Sequence, residues 1–175
     1  MIQRNFWRNV LPSVIAFAFS GVYSIVDGMF VGQGVGDAGL AAINVAWPVT
    51  ALVQALGTGL GMAAAVVLSV CIGRRDAAEE HRALGSTAVL LLLAGVLSTA
   101  LLALLYRPLL PLLGAEGSVL AYADSYTRVI VLGSLFQVLG TGLVPLLRTY
   151  DGADAAMCSM TAGFLTNVVL DALFI

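Results

Sequence analysis

Long apolar stretches broken by short polar punctuation divide this chain into five runs. Charge is absent from Asn9 to Val26 and from Ala41 to Gly73. It is sparse again over 83–106, 118–147 and 155–175. Breaks fall at the Gly-rich stretch Gly32–Gly39, at Arg74–Arg82 (RRDAAEEHR), at Gly114–Gly117 and at Arg148–Asp154 (RTYDGAD). The pattern predicts helices over 9–31, 42–73, 83–106, 118–147 and 155–175. Each reaches the ~20 apolar residues that a membrane-spanning helix needs.

The punctuation within the runs adds detail. Arg4 and Arg8 precede the first run, and Trp7 stands where an interfacial aromatic belongs. A signal peptide shares the basic start, but this run far exceeds the ~7–15 residues of its apolar core. Pro12 removes a backbone hydrogen bond and favours a helix kink there. Pro48 is expected to break or tilt the second helix. Gly28 and Gly32, then Gly57, Gly59 and Gly61, and later Gly140 and Gly142 predict close helix contacts. Asn44, Gln54 and Thr58 are polar and could line a cavity, or bond to neighbouring helices. The third run is Leu- and Ala-rich and reads as lipid-facing or scaffold. Asp124 and Arg128 form an i,i+4 pair at the start of the fourth. The fifth run stops at Phe174-Ile175 while still apolar, so the chain reads as truncated.

Composition fixes the class. The chain is 60% hydrophobic and only 10% charged, against about 25% charged in a soluble domain. Mean hydropathy is +1.00. The fold class is therefore all-α integral membrane, a bundle of five transmembrane helices. A net charge of -2 gives no nucleic-acid signal. Cys71 and Cys158 lack motif spacing and read as free thiols. His81 lies in a charged loop and reads as solvated. Arginine counting gives orientation: Arg4, Arg8, Arg74, Arg75, Arg82 and Arg148 fall on one side, Arg107 and Arg128 on the other. That asymmetry predicts a multi-pass protein of the cell membrane with a cytoplasmic N-terminus.

Two acids then stand out. Asp27 and Asp171 each interrupt an apolar run. A charge at that depth costs about 3 to more than 10 kcal/mol, so such residues face cavities or partners and mark ion or proton paths. At roughly 1.5 Å per residue, Asp27 lies ~27 Å along from Asn9 and Asp171 ~24 Å along from Ala155. The first and fifth helices run in the same direction, so the acids are expected at similar height. Tyr23 is one turn before Asp27, and Asn167 one turn before Asp171. Two acids, a phenol and an amide can hold a proton or coordinate Na+ through oxygen. The alternative is that each acid is bonded internally and structural.

The stretches YSIVDGMFVGQGVGDAGLAA (Tyr23–Ala42) and NVVLDALFI (Asn167–Ile175), with Pro12 and the RTYDGAD turn, resemble the multidrug and toxic compound extrusion family. The likeness runs through the whole chain in order. It implies the amino-terminal lobe, helices one to five, of a twelve-helix transporter; helix six and the second lobe are absent. It implies a cation-coupled antiporter, driven by H+ or Na+ and using no other cofactor, that exports cationic or amphipathic drugs. The family's amino-lobe ion site maps onto Asp27, Asn167 and Asp171, with Tyr23 beside it, and its bending proline onto Pro12. The implied partners are the lipid bilayer, a drug-like substrate and the remainder of the transporter. A lipid-linked oligosaccharide flippase of the same superfamily is one alternative. A non-transporting membrane structural subunit is another. An intramembrane enzyme is not expected: Ser20 and Ser24 have no base but Asp27, and no metal-ligand cluster is visible.

Overall fold

A computed structural model describes the backbone of residues 2–174; the side chains at 2–9, 12, 13, 16, 17, 19, 20, 23, 24, 171 and 174 lie outside the described set. Five α-helices follow one another: α1 (Ile2–Gly34), α2 (Asp37–Arg74), α3 (Ala77–Leu112), α4 (Gly117–Thr149) and α5 (Ala153–Phe174). Among the described residues, four stretches are long and apolar enough to cross a membrane: α2, α3, α4 and Ala153–Leu170 of α5.

α1 to α4 exceed the apolar runs at both ends, and α5 starts earlier than its run, because polar residues taken for loops belong to helix turns. The Gly32–Gly39 break shrinks to Val35-Gly36, and Asp37 begins α2. Gly36 takes φ of +82°, which a side chain would oppose. Of RRDAAEEHR, only Arg75 and Asp76 connect helices. Asp76 caps α3 by accepting the amide N–H of Glu79 at 3.1 Å. Glu79 and Glu80 sit in the first turn, where the helix dipole favours acids. Pro48 does not break α2, which continues to Arg74. Likewise α1 is unbroken through Pro12. Pro108 and Pro111 lie in the last turns of α3.

The chain divides into two compact units. One comprises the chain up to Leu40 and from Tyr150 onward. Within it, α1 packs against α5, and Gly32 lets the Leu40 side chain approach closely, 3.1 Å from where a Cβ would stand. Among the described residues, nothing comes within 4 Å of where a Cβ on Gly28 would stand.

The other unit, Ala41–Thr149, holds α3 and α4 as an antiparallel pair beside α2. Its seam is a stripe on each partner: Thr87, Leu91, Gly95, Ser98, Leu102, Tyr106 and Leu110 on α3; Ala123, Thr127, Val131, Ser134, Val138, Gly142 and Leu146 on α4. These recur every three or four residues, the period of one helix face. The third run is thus scaffold, but its small and hydroxyl residues define a face. Thr99 and Ser134 hydroxyls share a hydrogen bond across the seam at 2.7 Å. Such bonds contribute on average about 0.6 kcal/mol between membrane helices.

Asp124 pairs with Arg107 of α3 at 3.5 Å. The two flank the Leu113–Glu116 connection at nearly equal distance along the chain, so the hairpin levels them. The i,i+4 geometry with Arg128 is therefore not the contact that defines Asp124. Both Cys71 and Cys158 are free thiols.

Gly57 and Gly61 pack α2 onto α4. A Cβ on Gly57 would meet Thr141 Oγ1 and the Val138 carbonyl; one on Gly61 would meet the Gly142 carbonyl. Gly142 in turn touches Leu91 and the Gly57 carbonyl. Gly59 and Gly140 face open space.

Candidate functional site

The α1–α5 pair carries all four residues singled out at the two intramembrane acids. Asp27 on α1 is half-buried and engaged by a polar or electrostatic interaction within the protein. Asn167 on α5 is also half-buried. Its Oδ1 is shielded from solvent, with no hydrogen-bond partner among the described residues. A buried amide oxygen left unpaired costs about 1–3 kcal/mol, so this acceptor is poised for a proton donor or a cation. The backbones of Tyr23 and Asp171 lie one turn from Asp27 and Asn167, on α1 and α5 respectively. Their side chains are outside the described residues. Pro12 lies near the start of α1; its side chain is also outside them.

Tyr23 and Asp27 are four apart, as are Asn167 and Asp171, so each couple shares a helix face. Packing of α1 on α5 puts both helices into one unit. Brought together, an acid, an amide oxygen, a phenol and a second acid would make an all-oxygen set, which suits a proton or a hard monovalent cation. Among the described residues, no three His, Cys, Asp or Glu gather as a transition-metal site would require.

Asn44, Gln54 and Thr58 belong to the other unit. Asn44 and Gln54 are exposed, and Thr58 is half-buried. The buried face of α2 is carried by Ala42, Ala46, Val49, Val53 and Leu68, so Asn44 and Gln54 point away from that unit's core. Asn44 nevertheless has a partner of its own within the protein. His81 bonds locally, its Nδ1–H donating to the Ala77 carbonyl at 3.0 Å.

The profile of the MatE family matches residues 12–173. The chain belongs to the MatE family. It is similar to the multidrug export protein MepA of Staphylococcus saprophyticus, at 25% identity over 94% of this chain and 37% of that protein. It is also similar to an FAD transporter of Shewanella oneidensis, at 30% identity over 94% of this chain and 36% of that one. A crystal structure of a MATE protein in complex with MaD3S superimposes with a TM-score of 0.91 and 30% identity, over 98% of this chain and 38% of the other. The chain thus spans well under half the length of these MatE relatives. The family match includes both stretches with an intramembrane acid and the whole α2–α4 scaffold between them.

Proposed function

We propose that this MatE chain forms the ion-coupling part of a cation-driven antiporter that exports cationic or amphipathic drugs. The observation that carries the reading is the α1–α5 pair, with half-buried Asp27 on one helix and, on the other, the Asn167 oxygen, shielded from solvent and without a hydrogen-bond partner among the described residues. Asp171 and Tyr23 complete the ion site. With substrate in an outward cavity the acids are charged. Entry of H+ or Na+ neutralises them, α1 repacks around Pro12, and the cavity shrinks and expels the drug. Asn44, Gln54 and Thr58 line the drug path in this reading. The substrate site and the second half of the cavity come from the remainder of the transporter.

The test is transport by the complete protein in vesicles. Efflux of a cationic dye should follow an imposed inward gradient of either H+ or Na+, and the gradient that works names the ion. FAD, the substrate in the Shewanella relative's name, is the comparison. Dye efflux indifferent to both gradients removes the coupling mechanism; movement of FAD but not dye reassigns the substrate class.

Orientation is tested separately. The arginine asymmetry predicts a cytoplasmic N-terminus. In a background with Cys71 and Cys158 replaced by serine, Ala78→Cys should react with an impermeant thiol reagent only from inside. Glu116→Cys should react only from outside. The reverse pattern inverts the direction of the ion path.

A further inference from the structure

A groove of about 510 Å³ runs between α2 and α3, within the Ala41–Thr149 unit. On α2 it is lined by Leu60, Ala63, Ala64 and Val67, spaced as one helix face. On α3 the walls include Ala83, Ser86 and Leu90, with Glu79 and Arg82 at one end. The groove exists because both helices present small residues here, Ala63 and Ala64 against Ala83 and Ser86. Its hydroxyls make no demand on an occupant. Ser86 Oγ donates to the Ala83 carbonyl at 3.0 Å, and Thr87 Oγ1 to the same carbonyl at 2.7 Å. The inner wall is therefore apolar in effect. Val67 and Leu90 remain about half exposed.

The mouth differs from the wall. Arg82 and Glu79, one turn apart on α3, approach to 3.6 Å with exposed side chains. An exposed pair of this kind contributes about 0–1 kcal/mol and is readily exchanged for other partners. It offers one cation and one anion at the end of an apolar channel, beside the α2–α3 turn where the membrane-spanning run meets the headgroup layer. Basic pockets between transmembrane helices bind lipid headgroups, and a guanidinium matches phosphate geometry. The acid beside it selects further. A glycerol headgroup offers Glu79 neutral hydroxyl donors but no cation. A choline headgroup brings a quaternary ammonium without N–H donors. An ethanolamine headgroup carries a primary ammonium two carbons from its phosphate, so it can engage a base and an acid one helical turn apart.

We propose that the α2–α3 groove is a seat for a phospholipid with a primary-ammonium headgroup: one acyl chain lies along Leu60, Ala64, Val67 and Leu90, the phosphate meets Arg82 and the ammonium meets Glu79. The seat belongs to the scaffold unit and is independent of the ion-coupling reading. It gives the bilayer a specific foothold on α2 and α3.

The test uses the chain reconstituted in vesicles, with Leu90→Trp as reporter in a Trp7→Phe, Trp47→Phe background. Leu90 lies about 12 Å along α3 from Arg82, at acyl-chain depth. Brominated-chain phosphatidylethanolamine, phosphatidylcholine and phosphatidylglycerol are added in turn at the same fraction. Quenching should show the ethanolamine lipid preferred over choline by roughly tenfold, the scale of one hydrogen bond to a charged group. Glu79→Gln should erase that preference while phosphate binding persists, and Arg82→Gln should weaken all three lipids. Both positions are exposed, so neither change threatens folding. A second readout is native mass spectrometry after partial delipidation, in which the unsubstituted chain retains the ethanolamine lipid in preference to the choline lipid and Glu79→Gln retains the two equally. Equal quenching by the three lipids, or an ethanolamine preference that survives Glu79→Gln, overturns the proposal. So does protection of the tryptophan from all brominated lipids, which would show that protein covers the groove.

Discussion

Asp27→Asn, placed in the complete transporter, is expected to abolish gradient-driven efflux while leaving insertion and substrate binding intact. Asp171→Asn should do the same. Asparagine keeps the volume and some of the hydrogen bonding of aspartate but can neither release a proton nor present a full negative charge to a cation. Loss of one acid should therefore stop coupling without emptying the helix interface. The double variant should be no worse than either single, because residues that act as one unit are not additive. Asn167→Ala should weaken ion binding less severely, since it removes an oxygen but no charge. Its Oδ1 is shielded from solvent and has no hydrogen-bond partner among the described residues, which leaves it available to a cation. Ion-dependent efflux in everted vesicles, with expression and drug binding as controls, reads all four variants. If either asparagine variant still pumps, that acid is structural, and only family membership stands.

How much of this was legible in the sequence depends on what each feature is made of. Helix number and order follow from where charge is absent, because the bilayer tolerates few alternatives. Helix ends do not, because a helix can carry charged turns beyond the apolar run. The RRDAAEEHR segment is mostly the capped start of α3, with Asp76 on the Glu79 amide. Pro48 predicts a break or a tilt; the surrounding turns hold α2 continuous, so there is no break. The partner of Asp124 was misread because i,i+4 spacing is visible along the chain, whereas the levelling of Arg107 with Asp124 depends on the α3–α4 hairpin. At the candidate site, the acids announce themselves by rarity. That α1 packs on α5 is a tertiary fact, which the matched depth of the two acids does not by itself establish. The groove between α2 and α3 left almost no trace, since its signal is alanine, the commonest filler of a membrane helix.

The glycines of α2 give the sharpest structural prediction, because three of them stand two apart and only two meet α4. Positions 57 and 61 are four apart and share a face; position 59 is turned well away from it. Gly61→Ala puts a methyl group onto the Gly142 carbonyl, a backbone atom that cannot rotate aside. The helices must separate along the seam, where Gly142 also meets Leu91. Overpacking of this kind costs about 1–3 kcal/mol. Gly59→Ala adds the same methyl group into open space. There the gain in helix propensity, up to about 1 kcal/mol, is the main effect. The two substitutions should therefore move stability in opposite directions, although they differ by half a helical turn. Gly57→Ala is expected to be intermediate, since the Thr141 hydroxyl it meets can turn away but the Val138 carbonyl cannot. Reversible unfolding of the chain in mixed micelles, followed by circular dichroism, should rank Gly59→Ala above the unsubstituted protein and Gly61→Ala lowest. Equal destabilisation by the Gly59 and Gly61 variants would mean that α2 does not meet α4 along the Gly57–Gly61 face.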